Sequence, residues 1–188
     1  MLRIAVQTKG RLNEDTMFLL GETGIKLEFG KRQLLQPAKN FPIEVLFLRD
    51  DDIPQSVADG VSDIGIVGEN EYAEKNKNVE IVKRLGFSKC RLSLAIPKAV
   101  EYTGVEWFNS KVIATSYPEI LKKYLTENNV TAEIHLITGS VEIAPGIGLS
   151  DSIFDRAGLD TGAGTWRFTP LFLKPRPARS CARWVWAI

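Results

Sequence analysis

The chain has 188 residues, 44% of them hydrophobic and 25% charged, with a formal net charge of +1. That composition suits one large domain or two small lobes with a sizeable core, and it excludes a bulk electrostatic nucleic-acid binder. No run reaches the ~18 apolar residues of a membrane span, and two cysteines (Cys90 and Cys181) with one histidine (His135) leave no disulfide framework, zinc set or histidine triad.

In chain order, residues 2–6 form an apolar strand. Gln7-Thr8-Lys9-Gly10-Arg11-Leu12 follows, with a helix start expected near Asn13. Cationic side chains and free backbone N–H groups at a strand end read either as phosphate recognition or as a solvated basic turn. Residues 45–48 form the next strand, which runs into Arg49-Asp50-Asp51-Asp52-Ile53-Pro54. Three carboxylates could hold Mg²⁺ through water. Alternatively, Asp52 caps a helix whose Val57 and Val61 face inward. The strand at 64–67 ends at Gly68 and Glu69, either a close approach for a ligand or a plain turn into a helix.

Residues 92–96 form a further strand, and 97–103 read as a crossing between lobes. After a strand at 112–115, a helix is expected over 117–128. Ser116 and Glu119 have capping-box spacing, Pro118 suits the first turn, and Ile120, Leu121, Tyr124 and Leu125 share a face. The strand at 134–137 leads to Thr138-Gly139-Ser140-Val141-Glu142, where Ser140 and Glu142 suit a hydroxylated or amine-bearing ligand. Beyond Ile143, a loop is expected to enter a helix, because Leu149, Ile153 and Phe154 stand at helical spacing.

Strands alternating with helices predict a mainly parallel α/β sheet, with ligands at the carboxyl ends of its strands. The four polar, glycine-bearing strand ends together suggest a cleft for a polar, phosphorylated small molecule. The tail differs in kind. Residues 161–188 hold three of the four Trp, three Pro, five basic residues and no acid, so their +5 leaves −4 on the first 160. Neither alternation nor a helical stripe is evident there, and an extended, poorly packed segment is expected.

The stretches "QTKGRL", "RDDDIPQSVADGVSDIGIVGEN", "LGFSKCRLSLAIP", "VIATSYP" and "GSVEIAPGIGLSDSIFD" closely resemble the ATP phosphoribosyltransferase family, over roughly residues 1–155. The resemblance implies a two-lobed α/β architecture of the periplasmic-binding-protein type (type II), incomplete at the C-terminus. A first lobe would span 1–96, a partial second lobe 97–160, and an atypical tail 161–188, with the active site between the lobes. It implies a cytoplasmic enzyme that joins N1 of ATP to C1 of the ribose of phosphoribosyl pyrophosphate, with Mg²⁺ as cofactor. It also implies a homo-oligomer, with no nucleic-acid or membrane partner. Lys9, Gly10, Arg11, Arg49, Glu69, Ser140, Glu142 and Asp155 would bind the substrates.

Within the family signature Glu142, Gly148, Ser150, Ile153 and Asp155 fit, whereas Arg156 does not and Leu159 stands where Ser or Thr belongs. One reading makes 160–166 the displaced phosphate loop. The preferred reading is a frameshift from about residue 156, because codons for 158–162 can spell Gly-Ser-Thr-Leu one base later. The rivals are a solute-binding protein of the same fold, disfavoured by the lack of a signal sequence, and an inactive, nucleotide-binding remnant.

Overall fold

A computed structural model describes residues 1–27 and 34–156, together with the backbone of two later strands. The elements are β1 (Leu2–Gln7), α1 (Arg11–Glu22), β2 (Leu35–Pro37), β3 (Ile43–Leu48), α2 (Ile53–Ala58), β4 (Ile64–Val67), α3 (Glu69–Lys75), β5 (Val79–Arg84), β6 (Leu92–Pro97), β7 (Val112–Thr115), α4 (Pro118–Glu127), β8 (Glu133–Leu136), β9 (Ser152–Arg156), β10 (Trp166–Pro170) and β11 (Arg183–Ala187). They group into two units, Met1–Lys89 with Arg176–Ile188, and Cys90–Pro175. No helix among the described residues is long and apolar enough to cross a membrane.

The first unit carries a sheet of order β2-β3-β1-β4-β11-β5, parallel except for β2. Alternation along β1 sends Ile4 and Val6 to one face, where Leu20 of α1 joins Ile43, Val45 and Phe47 of β3. Ala5 faces the other way, toward Ile53 and Val57 of α2. Helices on both faces explain why the central strands read as continuous apolar runs. Polar contacts pin the register of β1. Arg3 stands opposite Glu44 and its Nε donates to Oε1 at 2.7 Å. The Arg3 amide donates to Asp63 Oδ2 at 2.8 Å. At the far end the Thr8 amide and hydroxyl both donate to the Leu48 carbonyl, at 2.8 and 2.7 Å.

The second unit has a mixed sheet of order β10-β6-β9-β7-β8, in which β9, β7 and β8 are parallel and β6 runs against β9. One face gathers Ala95, Ala114 and Ile153 beneath Val141, which opens a 3₁₀ turn at Val141–Ile143, and Ala144, which follows it. By alternation Leu94 and Phe154 lie on the opposite face, both buried.

Several expectations are corrected. The segment beyond Leu149 forms strand β9 and not a helix. The spacing of Leu149, Ile153 and Phe154 misled because Ile153 and Phe154 cover opposite faces of a sheet buried on both sides, which leaves an unbroken apolar pair. The Ser116–Glu119 box does not form. The Ser116 hydroxyl donates to the Ile137 carbonyl at 2.7 Å, and the N-cap of α4 is Tyr117, whose side chain makes no cap bond. Asp52 likewise makes no cap bond to α2. Val57 is buried as expected, but Val61 lies past the helix end and is exposed. In the tail, β10 pairs with β6 and β11 bridges β4 and β5, so these two stretches are hydrogen-bonded strands. The proline-rich centre at 175–177 and the glycine-rich stretch at 158–165 lie outside the described residues.

Gly65 on β4 has a packing reason. A Cβ there would stand 2.6 Å from Ile53 Cγ2 and 3.0 Å from Val57 Cγ2, both short branched side chains of α2. We expect Gly65→Ala to destabilise the chain by about 1–3 kcal/mol through overpacking. A urea unfolding curve with an unchanged midpoint would contradict the close packing of α2 on β4.

Candidate active site

Because β3, β1 and β4 are parallel, their carboxyl ends lie along one edge of the first sheet. That edge receives Lys9, Gly10 and Arg11 after β1, Arg49 after β3, and Gly68 with Glu69 after β4. Gly10 is the N-cap of α1 at φ 95° and ψ 178°, a conformation that glycine tolerates and L-residues rarely adopt. Among the described residues no side chain caps this 12-residue helix. Its first N–H groups therefore remain available to an anion, on the positive end of the helix dipole. Asn13 braces the turn, its Nδ2 donating to the Gln7 carbonyl at 2.6 Å. Lys9 and Arg11 are exposed beside it.

Arg49 is extended and its side chain is 76% exposed, with Nε 3.4 Å from Asp51 Oδ1. Lys75 Nζ approaches the other oxygen of Asp51 at 3.8 Å. Asp51 thus faces two cations. Asp50–Asp52 form a 3₁₀ turn, and no group of three His, Cys, Asp or Glu side chains is placed to hold a metal among the described residues. The three carboxylates in a row do not fit a direct Mg²⁺ site, because a 3₁₀ turn fans consecutive side chains apart. Glu69 opens α3 and forms an ion pair with Arg84 at the end of β5. Sequence reading missed Arg84 and Lys75. The half-formed alternation Val79-Glu80-Ile81 was the available signal for β5, but Val82 breaks it.

The second unit has a corresponding edge, where β8 and β9 end. Ser140 adopts a left-handed conformation, φ 50° and ψ 44°, and starts the turn that carries Glu142. Asp155 stands near the end of β9. Burial pushes the Asp155 carboxyl above the ordinary 3.8, and the Glu142 charge pushes it the same way. The Arg156 amide, which donates to Asp155 Oδ1 at 2.7 Å, and the Arg156 charge oppose the rise. The Glu142 charge thus reaches Asp155, and the Arg156 charge acts on it more strongly in the opposite direction. The eight expected site residues form two sets, five on the first unit and three on the second.

Comparison with known proteins finds the ATP phosphoribosyltransferase (HisG) family matching residues 49–163. The match reaches eight residues past Asp155, into the stretch outside the described residues. A Parabacteroides distasonis ATP phosphoribosyltransferase is 72% identical over 155 residues, covering 82% of this chain and 55% of that protein. The chain thus spans about half the length of the curated relatives it matches. Among solved structures, the ATP phosphoribosyl transferase (HisG:HisZ) complex from Thermotoga maritima has a TM-score of 0.75 at 30% identity, covering 92% of this chain and 83% of that one. The glutamate-bound GluR0 ligand-binding core from Nostoc punctiforme has a TM-score of 0.57 at 14% identity, covering 93% and 81%. The fold is of the two-unit, periplasmic-binding-protein type (type II).

The raised Asp155 carboxyl has a consequence for stability. Ionising it costs the folded chain nothing below the unfolded value. The cost grows as pH rises through the raised midpoint and is constant above it. Asp155→Asn should gain on the wild type over that window, by ~1.4 kcal/mol per pH unit between the two midpoints. A difference in unfolding free energy that stays flat with pH would contradict the burial of this carboxyl.

Proposed function

Since the chain belongs to the ATP phosphoribosyltransferase family, we propose that it acts in the first step of histidine biosynthesis. In that reaction the phosphoribosyl group of phosphoribosyl pyrophosphate moves to N1 of ATP and pyrophosphate departs. The observation that best supports the reading is the uncapped α1 N-terminus at the cationic edge, with Lys9, Gly10 and Arg11 at its head.

Charge decides the roles. The leaving pyrophosphate gains negative charge as the bond to C1 breaks, so the α1 amides with Lys9, Arg11 and Arg49 would stabilise it. C1 gains positive charge at the same moment, as in other oxocarbenium-like reactions. Glu142 and Asp155, both carboxyls of the second unit, would bind the ribose more tightly in the transition state, where C1 is positive, than in the ground state. Ser140 would present its hydroxyl beside them, and Glu69 would reach the purine nucleotide through its N–H and hydroxyl donors. The adenine N1 is the nucleophile, so the protein needs none of its own and contributes alignment. Mg²⁺ enters as a companion of the polyphosphates, whose charge it neutralises when bound. Cytoplasmic placement and assembly with further subunits, for which the HisG:HisZ complex is the example, complete the proposal.

The test is pyrophosphate release from ATP, phosphoribosyl pyrophosphate and Mg²⁺. We expect release, and we expect Arg11→Ala and Glu142→Gln each to lower kcat/KM by about 10²-fold or more. Gly10→Ala, which would strain the backbone at φ 95°, should weaken phosphoribosyl pyrophosphate binding. Absence of release from folded protein would reject the activity, and nucleotide binding without release would favour a binding remnant.

A further inference from the structure

Ser93 lies in the middle of the second unit, on β6. Its side chain is completely buried and its Oγ has no hydrogen-bond partner among the described residues. A buried hydroxyl without a partner forfeits the bonds it made to water and normally signals an unfilled role. The antiparallel register sets Ser93 directly opposite Asp155 on β9. Directly opposed residues share a face, with Cβ atoms ~4.5–5.5 Å apart, within reach of a serine hydroxyl and a carboxylate. Two residues along the same face, Ala95 opposes Ile153, and there Val141 and Ala144 cover the sheet. The turn that packs on this face also bears Glu142. On its other side Ser93 is paired with Pro170 of β10, which has no N–H to offer.

Alternative partners are scarce. β6 and β7 contain no ionisable side chain. The charged groups acting on the Asp155 carboxyl are Glu142 on the turn and Arg156 on its own strand. Arg156 follows Asp155 in a strand, so its side chain leaves from the opposite face. Its amide holds Oδ1 only. Nothing in the described contacts sets the direction of the second oxygen.

We propose that Ser93 is a positioning residue for Asp155: its hydroxyl swings across the β6–β9 pair to donate a hydrogen bond to the carboxylate and fixes the direction in which that group meets the substrate's ribose. The proposal rests on the phosphoribosyl-transfer reading for the identity of the ligand. The Ser93–Asp155 bond itself can be tested without turnover. Ala95, Ala114 and Ala144 are small neighbours on this face, beside Val141 and Ile153. Swinging the Oγ requires only a rotation about χ1, and a hydroxyl bond to a charged acceptor is among the stronger neutral-to-ion bonds.

The experiment is a ¹³C-carboxyl NMR titration of Asp155 in the full chain, in wild type, Ser93→Ala and Ser93→Thr. Losing a donor to the charged form raises the midpoint. Ser93→Ala should therefore move it up by about half a pH unit or more, a roughly threefold change in the acid constant, while Ser93→Thr keeps the wild-type midpoint. If threonine does not fit and the variant fails to fold, Ser93→Cys, a poorer donor, should give an intermediate value. With phosphoribosyl pyrophosphate as the probe, Ser93→Ala should lower kcat more than it raises KM, because the carboxylate it aims acts mainly in the transition state. An Asp155 midpoint that is the same in wild type and Ser93→Ala, within about 0.2 units, overturns the proposal, because a purely structural serine would leave the titration alone. A chain that releases no pyrophosphate but shows the shifted midpoint defeats the proposed reaction and upholds the Ser93–Asp155 bond. Release with an unmoved midpoint does the reverse.

Discussion

The register of β1 between β3 and β4 is the constraint on which the rest of the first unit depends. One residue of slip would exchange the two faces, turning Ile4 and Val6 toward α2 and Ala5 toward α1. It would also shift Gly10 and the start of α1 by ~3.3 Å relative to Arg49 and Glu69. Two sets of contacts prevent the slip. At the amino end Arg3 grips Glu44 on one neighbour, and its amide reaches Asp63 before the other. At the carboxyl end Thr8 closes the pairing through two bonds to Leu48. The ion pair is partly exposed and on its own contributes modestly. Its effect lies in choosing one alignment among otherwise similar apolar ones.

Each unit presents a chemically distinct strand edge. The first is built of ammonium, guanidinium and free amide groups, suited to phosphates. The second is built of two carboxyls and a left-handed serine, suited to hydroxyls and to positive charge. Phosphoribosyl transfer separates those charges, negative on the departing pyrophosphate and positive on C1, and a protein with such edges meets each demand with fixed groups. The ion pairs on the first edge temper this picture. Arg49 lies near Asp51 and Glu69 pairs with Arg84, so under the proposed reaction both would exchange a protein partner for a substrate group. Lys9 and Arg11 are exposed and stand at an uncapped helix start.

Strands were the most legible elements, because β1, β3, β4, β6 and β7 are short apolar runs buried on both sides. The same property hid β9, where Ile153 and Phe154 read as one stripe of a helix although they face opposite ways. β5 was obscured because its alternation fails at Val82. Caps misread for a different reason. Ser116 and Asp52 have the right spacing, but spacing cannot reveal that the Ser116 hydroxyl donates to the Ile137 carbonyl, 21 positions away. The candidate site residues are read from strand ends carrying Gly, Lys, Arg and Glu, which is local information. Arg84, Lys75 and Ser93 were missed because their significance comes from partners 15, 24 and 62 positions away in the chain.

The central claim is that these strand edges bind the anionic sugar phosphate. Amide chemical-shift mapping of the full chain during titration with phosphoribosyl pyrophosphate tests it most directly. The account predicts saturable shifts concentrated at Gly10, Arg11 and the turn from Ser140 to Glu142. Shifts confined to other surfaces, or none at millimolar ligand while the protein remains folded, would contradict it.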